Sequence, residues 1–233
     1  MTRPSPVVLV PGLLCSARLY ADQIPELWRL GPVMVAAHTS DDNMAAIADR
    51  ILGQAPPRFA LAGLSMGGYI ALEIMRRAPE RVERLALLDT SARPESPQQT
   101  ERRSQEMALA KRGRFQEVPD VQYPRLVHAS RQSDAPLRAV VRRMAEETGP
   151  EAFLRQEAAI MGRADSRPCL ADIRCPTLVM VGDEDQLTPP EHAAEIADGI
   201  PGATVVTVPG CGHLSTLERP AETAEALVRW LST

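Results

Sequence analysis

Three side chains that together can cleave an acyl bond occur in this chain on separate loops: Ser65, Asp185 and His213. Ser65 lies in Gly63-Leu64-Ser65-Met66-Gly67, after an apolar run and before a helical pattern. A serine between glycines at a strand-to-helix turn is the pattern of a nucleophile elbow. The turn forces the serine into an unfavourable backbone conformation and crowds its neighbours, so only residues without bulky side chains fit around it. The geometry leaves the hydroxyl exposed at the carboxyl end of a sheet, beside the positive end of the next helix. Such a hydroxyl attacks a carbonyl only when a base takes its proton.

His213, in the loop Pro209-Gly210-Cys211-Gly212-His213, is the candidate base. His38 ends a strand-like run beside the expected cleft, His128 falls in a helical region, and His192 reads as an exposed first-turn helical residue; all three are taken as structural. The base needs an acid to fix its tautomer and stabilise the imidazolium. Asp185, in Gly182-Asp183-Glu184-Asp185, is the favoured acid, and Asp89, at the end of an earlier apolar run, competes with it. The negative oxygen that develops on the carbonyl needs fixed donors. The backbone N–H of Met66 follows the serine directly. The second donor is expected from the loop Val10-Pro11-Gly12-Leu13, where Gly12 lets the backbone approach and Leu13 carries the candidate N–H.

These residues must be positioned by elements that the pattern also indicates. Apolar runs over Val7–Val10, Val33–Ala37, Phe59–Leu64, Leu85–Leu88, Leu178–Val181 and Val205–Val208 read as buried parallel strands. Helical patterns over Asp42–Gly53, Met66–Ala78, Pro190–Gly199 and Ala221–Leu231 lie between or after them. Strand alternating with helix gives an α/β fold: a mostly parallel sheet of about six strands with helices on both faces. The alternation lapses over 93–171, which is helical, charged and rich in proline. That segment reads as an inserted helical cap on a core formed by residues 1–92 and 172–233. Its apolar residues, among them Met107, Phe115, Phe153 and Ile160, read as the cap's packing face, and Arg142, Arg143 and Arg155 as candidates to hold an anionic substrate group.

Composition excludes several classes. The 233 residues suit one domain with an insertion, and the net charge of −4 gives no broad electrostatic reason to bind nucleic acid. Residues 93–174 carry 15 basic and 12 acidic side chains, while the remainder is acidic. Four cysteines without a CxxC pair fit free thiols in a reducing compartment. The apolar run at the N-terminus is too short for a signal sequence or a span, so a cytoplasmic protein without membrane attachment is expected. No cofactor is expected. The spacing of His, Cys and carboxylates supports no metal, and no phosphate-cradling lysine follows the glycines.

Taken together, Gly12-Leu13, the segment Gly63 to Gly68, Gly182 to Asp185 with Pro189, and Gly212-His213 make the chain resemble the α/β-hydrolase superfamily along nearly its whole length. It is similar to small bacterial members related to carboxylesterases, enol-lactonases and pimeloyl-carrier-protein methyl ester esterase. The resemblance implies Ser65 as nucleophile, Asp185 as acid, His213 as base, and Leu13 and Met66 as oxyanion donors. It also implies a small-molecule ester, lactone or thioester as substrate. Cleavage of carbon–carbon bonds or perhydrolysis by the same triad remains open, as does a non-catalytic receptor on the same fold. Two features depart from the superfamily. Pro11-Gly12 stands where members commonly have His-Gly, and the chain begins at the strand that is usually third, so a smaller sheet with a new edge is expected.

Overall fold

Short β-branched runs bounded by proline and glycine form strands, because a run of that length cannot complete a buried helix. The computed structural model, which describes residues 5–232, joins six of them in one sheet. They are β1 (Val7–Val10), β2 (Val33–Val35), β3 (Phe59–Leu64), β4 (Val82–Leu88), β5 (Thr177–Gly182) and β6 (Thr204–Val208). All pairings are parallel, in the order β2-β1-β3-β4-β5-β6. The helices of the first half are α1 (Ile24–Trp28), α2 (Met44–Gln54) and α3 (Met66–Arg77). Four more, α4 (Pro97–Lys111), α5 (Val118–Leu126), α6 (Ala135–Thr148) and α7 (Pro150–Met161), separate β4 from β5. The last three are α8 (Pro190–Gly199), α9 (Ser215–Glu218) and α10 (Pro220–Ser232). No helix among the described residues is long and apolar enough to cross a membrane.

Side chains that alternate along each strand divide between two cores. Val8, Val10 and Leu61 pack with Ile47 and Ile51 of α2, Ile70 of α3 and Ile196 of α8. Val7, Leu9 and Ala60 face the other way, against Leu27 of α1 and Leu227 and Trp230 of α10. Both faces of β1, β3 and β5 are therefore buried, which explains why these strands read as unbroken apolar runs. The edges differ from that expectation. β2 stops at Val35 rather than Ala37 and is only half-buried, and β6 exposes Thr204, Val205 and Thr207. An edge strand has one neighbour, so apolar character alone does not cover it; β2 limits the liability by being very short. β1, β3 and α8 have the expected bounds, and the other elements moved by one to three residues at one or both ends. In α2, Asn43 rather than Asp42 begins the helix, its Oδ1 accepting the Ala46 N–H at 2.9 Å.

The chain steps from β1 to β2 on one side and returns to place β3 on the other. The strand order thus reverses between β1 and β3. In open parallel sheets the connections on either side of such a point diverge and leave a crevice at the carboxyl ends of the strands. The loop after β1 and the turn after β3 meet there, and α4–α7 lie over it. Those four helices share a small core in which the rings of Phe115 and Phe153 stand 5.8 Å apart at 49°. Leu14, from the loop after β1, completes that core with Val118 and Ala145. The insertion is therefore packed onto the crevice by a residue of the sheet's own loop.

Leu61 is fully buried at the centre of β3. Leu61→Ala is expected to lower unfolding free energy by about 2–5 kcal/mol through lost transfer energy and a residual cavity. Urea denaturation measures this, and a shift below about 0.5 kcal/mol would show that the site is not in the core as described.

Candidate active site

β3 ends at Leu64 and α3 begins at Met66, so the whole change of direction falls on Ser65, with φ 55° and ψ −115°. For a residue with a Cβ that region costs on the order of 1–3 kcal/mol and persists only when its surroundings impose it. Here the Ser65 N–H donates to the Leu88 carbonyl at 2.9 Å, and the Ser65 carbonyl accepts from Thr90 Oγ1 at 2.8 Å and the Gly68 N–H at 2.9 Å. The flanking glycines are steric requirements. A Cβ on Gly63 would lie 2.2 Å from the Gly67 carbonyl oxygen, and one on Gly67 would lie 2.0 Å from the Val10 carbonyl oxygen. Serine is a favoured helix N-cap, yet this one makes no capping bond. Its Oγ lies instead 2.8 Å from His213 Nε2.

His213 follows β6 and is almost fully buried. Its Nδ1 lies 2.7 Å from Asp185 Oδ2. Asp185 in turn accepts from Thr188 Oγ1 at 2.7 Å and from the Leu187 and Thr188 N–H groups at 2.8 and 3.0 Å. The sheet ends hold these loops together closely. A Cβ on Gly182 would come within 2.1 Å of the Gly212 carbonyl oxygen. Glu218, which the sequence did not single out, accepts from the N–H groups of Gly212, Leu214 and His128 and so ties the histidine loop to the insertion. The His213 N–H donates to the Leu126 carbonyl of α5 at 3.0 Å.

Burial acts against charge on both partners, raising the Asp185 carboxyl and lowering the His213 imidazole. Their mutual charge and hydrogen bond outweigh it, so Asp185 lies below its ordinary 3.8 and His213 above its ordinary 6.5. Asp89, the competing acid, has a different partner set. It accepts from Ser215 Oγ at 2.5 Å and the Gly182 N–H at 3.0 Å, and makes no bond to His213. Burial first, then the charge of Asp185, pushes its carboxyl up to about 7. Two neighbouring carboxyl groups thus diverge in acidity because only one of them holds an imidazole.

The loop 12–15 approaches the serine closely: a Cβ on Gly12 would be 3.4 Å from Ser65 Cβ. Leu14 has φ 57°, another strained position. Two side chains hold the loop. His38 Nε2 lies 2.9 Å from the Gly12 carbonyl, and the Leu14 N–H donates to Gln156 Oε1 of α7 at 3.1 Å. Where the superfamily places a histidine before the glycine, this chain has Pro11, and an imidazole arrives instead from beyond β2. Burial lowers His38 to about 4, so it serves as a neutral group. The backbone N–H groups of Leu13, at the cleft, and of Met66, next to Ser65 in the chain, have no protein acceptor among the described residues.

The cleft leaves about 70 Å³ of room for the centres of water-sized molecules, and its walls include Ser65, His213, Leu13, Leu126, Met144 and Ile160. Most apolar residues of the insertion pack internally as expected, but Leu126 and Ile160 reach the cleft. The three arginines named as candidates to hold an anionic group do not. Arg142 pairs with Asp120, Arg143 with Glu146 and Glu147, and Arg155 donates to the Thr39 carbonyl. Arg102, Arg103 and Arg125 line the cleft instead, because the helical phase of α4 and α5 decides which arginines face inward. His192 is half-buried rather than exposed. Cys15 is buried with its thiol pushed up to about 12, which leaves it unsuited as a nucleophile.

A family model of alpha/beta hydrolases matches residues 7–226. The chain is 26% identical to the pimeloyl-(acyl-carrier protein) methyl ester esterase of Neisseria meningitidis serogroup B, over 96% of this chain and 91% of that protein. Among solved structures, a thermophilic esterase from Thermogutta terrifontis shares 30% identity with a TM-score of 0.87, covering 98% of this chain and 89% of that one. The enol-lactonase of Burkholderia xenovorans LB400 shares 26% identity with a TM-score of 0.90, covering 100% and 93%.

The two buried histidines should titrate in opposite directions, His213 above 6.5 and His38 near 4. In Asp185→Asn burial, the largest influence on His213, is opposed only by the more distant charges of Asp89 and Glu218, and the midpoint should fall. Imidazole resonances followed by NMR against pH check both statements; an unmoved His213 midpoint would refute the assigned cause. The sign for stability follows. The His213 contribution is full below pH 6.5 and is lost as pH rises through the folded value, while that of Asp185 is lost as pH falls below 3.8.

Proposed function

The chain belongs to the alpha/beta hydrolase family, and from that premise we propose that it hydrolyses carboxylic esters of small molecules, lactones included, through an acyl-enzyme on Ser65. The observation that carries this reading is the continuous hydrogen-bonded chain from Ser65 Oγ through His213 to Asp185, with contacts of 2.8 and 2.7 Å. His213 Nε2 takes the proton as Oγ attacks the carbonyl carbon, and the charge that develops on the imidazole is stabilised by Asp185. The carbonyl oxygen becomes an oxyanion that receives the N–H groups of Met66 and Leu13, with the dipole of α3 behind the first of them. The imidazolium then protonates the leaving alkoxide. A water activated by the same imidazole attacks the acyl-enzyme, and Ser65 departs with its proton restored.

The hydroxyl of Ser65, which forgoes a helix cap to meet an imidazole, supports the catalytic reading over a receptor, which failure of a fluorophosphonate to label Ser65 would favour. The names of the similar proteins, an esterase, an enol-lactonase and a methyl ester esterase, support ester chemistry over carbon–carbon cleavage. A cytoplasmic setting is part of the proposal and rests on four cysteines that remain unpaired.

Ser65→Ala is expected to lose roughly 10⁶ in kcat on aryl esters and all labelling by a fluorophosphonate; retained turnover would refute the mechanism. The wild-type rate should rise with pH through a group above 6.5, because the neutral form of His213 is the base. Asp185→Asn should lower kcat by about 10⁴. Gln156→Leu removes the acceptor that holds Leu14 and should lower kcat about 10- to 100-fold with little change in KM. An unchanged kcat would show that Gln156 has no part in setting the oxyanion loop.

A further inference from the structure

α4 presents Gln99, Arg102, Arg103 and Glu106 along one face to the cleft, a spacing of three and four residues that keeps them on a single stripe. Across from it, α5 presents Gln122 and Arg125. A cleft wall built from so many charged groups is unusual beside a serine that attacks neutral carbonyls. What each charge is paired with decides what the wall can bind.

Nearly all of these charges are already paired. Glu106 accepts from Arg125 Nη2 at 2.6 Å and from Gln122 Nε2 at 2.7 Å, so both its oxygens are engaged. Arg103 pairs with Glu95 at 2.7 Å and Glu157 at 2.8 Å, and Arg163 pairs with the other oxygen of Glu95. Three carboxylates are thus matched by three arginines. Arg102 is the fourth. It is half-buried and makes no hydrogen bond or ion pair among the described residues. Arg112 and Arg174 also lack partners but stand in solvent, where water suffices. Around Arg102, burial and the like charges of Arg125 and Arg103 act against the protonated form, while Glu106 and Glu95, each already bound to other side chains, favour it from a distance. A guanidinium nevertheless keeps its charge at any ordinary pH.

Resting on the ester-hydrolase reading, we infer that Arg102 is a specificity-determining residue that binds a carboxylate on the non-reacting part of the substrate, so that the preferred substrates are half-esters of dicarboxylic acids. Among the arginines of the wall, Arg103 and Arg125 hold carboxylates and Arg102 does not, a place that one substrate carboxylate would fill. A planar guanidinium fork also fits the two oxygens of a carboxylate. The carboxylate replaces the lost hydration of Arg102 inside the cleft, whereas a neutral ester of the same length leaves those donors without a partner.

The test compares half-esters with length-matched neutral esters, monomethyl glutarate and adipate against methyl pentanoate and hexanoate, in wild type, Arg102→Met and Arg102→Lys. The readout is the ratio of kcat/KM for the anionic over the neutral series. In wild type the ratio should favour the half-esters, and Arg102→Met should lower it about 10- to 100-fold, as expected for a hydrogen bond to a charged group. Arg102→Lys should restore part of the ratio, which a purely structural role would not predict. Glutarate should inhibit wild type competitively and Arg102→Met far less. A ratio that is the same in wild type and Arg102→Met, with neutral esters still cleaved, overturns this inference alone. Inhibition by inorganic phosphate stronger than by glutarate overturns the carboxylate assignment. Absence of turnover on both series in wild type overturns the underlying reading and this inference with it.

Discussion

A buried imidazole beside a buried carboxylate is the interaction on which the arrangement at the sheet edge depends. Each group alone would surrender its charge to escape desolvation, the carboxyl by rising in pKa and the imidazole by falling. In contact they reverse both tendencies, and Thr188 completes the effect by donating to Asp185 through its hydroxyl and backbone N–H. Asp89 and His38 serve as internal controls for this physics. Both are buried nearby, neither has an opposite charge in contact, and each moves in the direction that burial alone dictates.

The contact forms only if two loops from neighbouring strands are held at the right height above the sheet. β5 and β6 are in parallel register from Leu178↔Thr204 to Gly182↔Val208, so their carboxyl ends finish level. The close approach of Gly182 to Gly212 sets the spacing of the loops that follow. Glu218 and Asp89 then saturate the N–H groups of the loop carrying His213, leaving little freedom for the imidazole to turn away. The strained backbone of Ser65 is the matching constraint from β3. Both are rigid features of a close-packed core rather than of mobile loops.

The helical insertion is part of this construction. It accepts the His213 N–H at Leu126, receives Glu218 at His128, and reaches the loop after β1 through Gln156. It thereby links the proposed oxyanion donors to the proposed base through one packed body. Its inner face is apolar at Leu126, Val141, Met144 and Ile160, and polar along α4 and part of α5, where arginine–glutamate pairs stand behind the cleft. Buried pairs of that kind contribute little net stability once desolvation is counted. Their consequence is electrostatic, and it concentrates on the one arginine left over.

Local pattern determined a good deal here. Strand and helix types followed from period and length, and the Gly63-to-Gly67 turn followed from sterics that any fold must obey. Ser65, Asp185 and His213 were legible because each sits just after an apolar run, where a parallel sheet must place its loops. The edge strands were misjudged because exposure depends on what lies alongside, which a linear pattern does not record. Which arginine faces the cleft was left open for the same reason: Arg142 and Arg102 are alike in sequence, and only the rotation of their helices turns one toward Asp120 and the other toward the cleft. The support of the oxyanion loop by His38 and Gln156, and the clamp at Glu218, join residues far apart in the chain through single hydrogen bonds. Such contacts exist only after the sheet and insertion have packed, so the tertiary structure alone decided them.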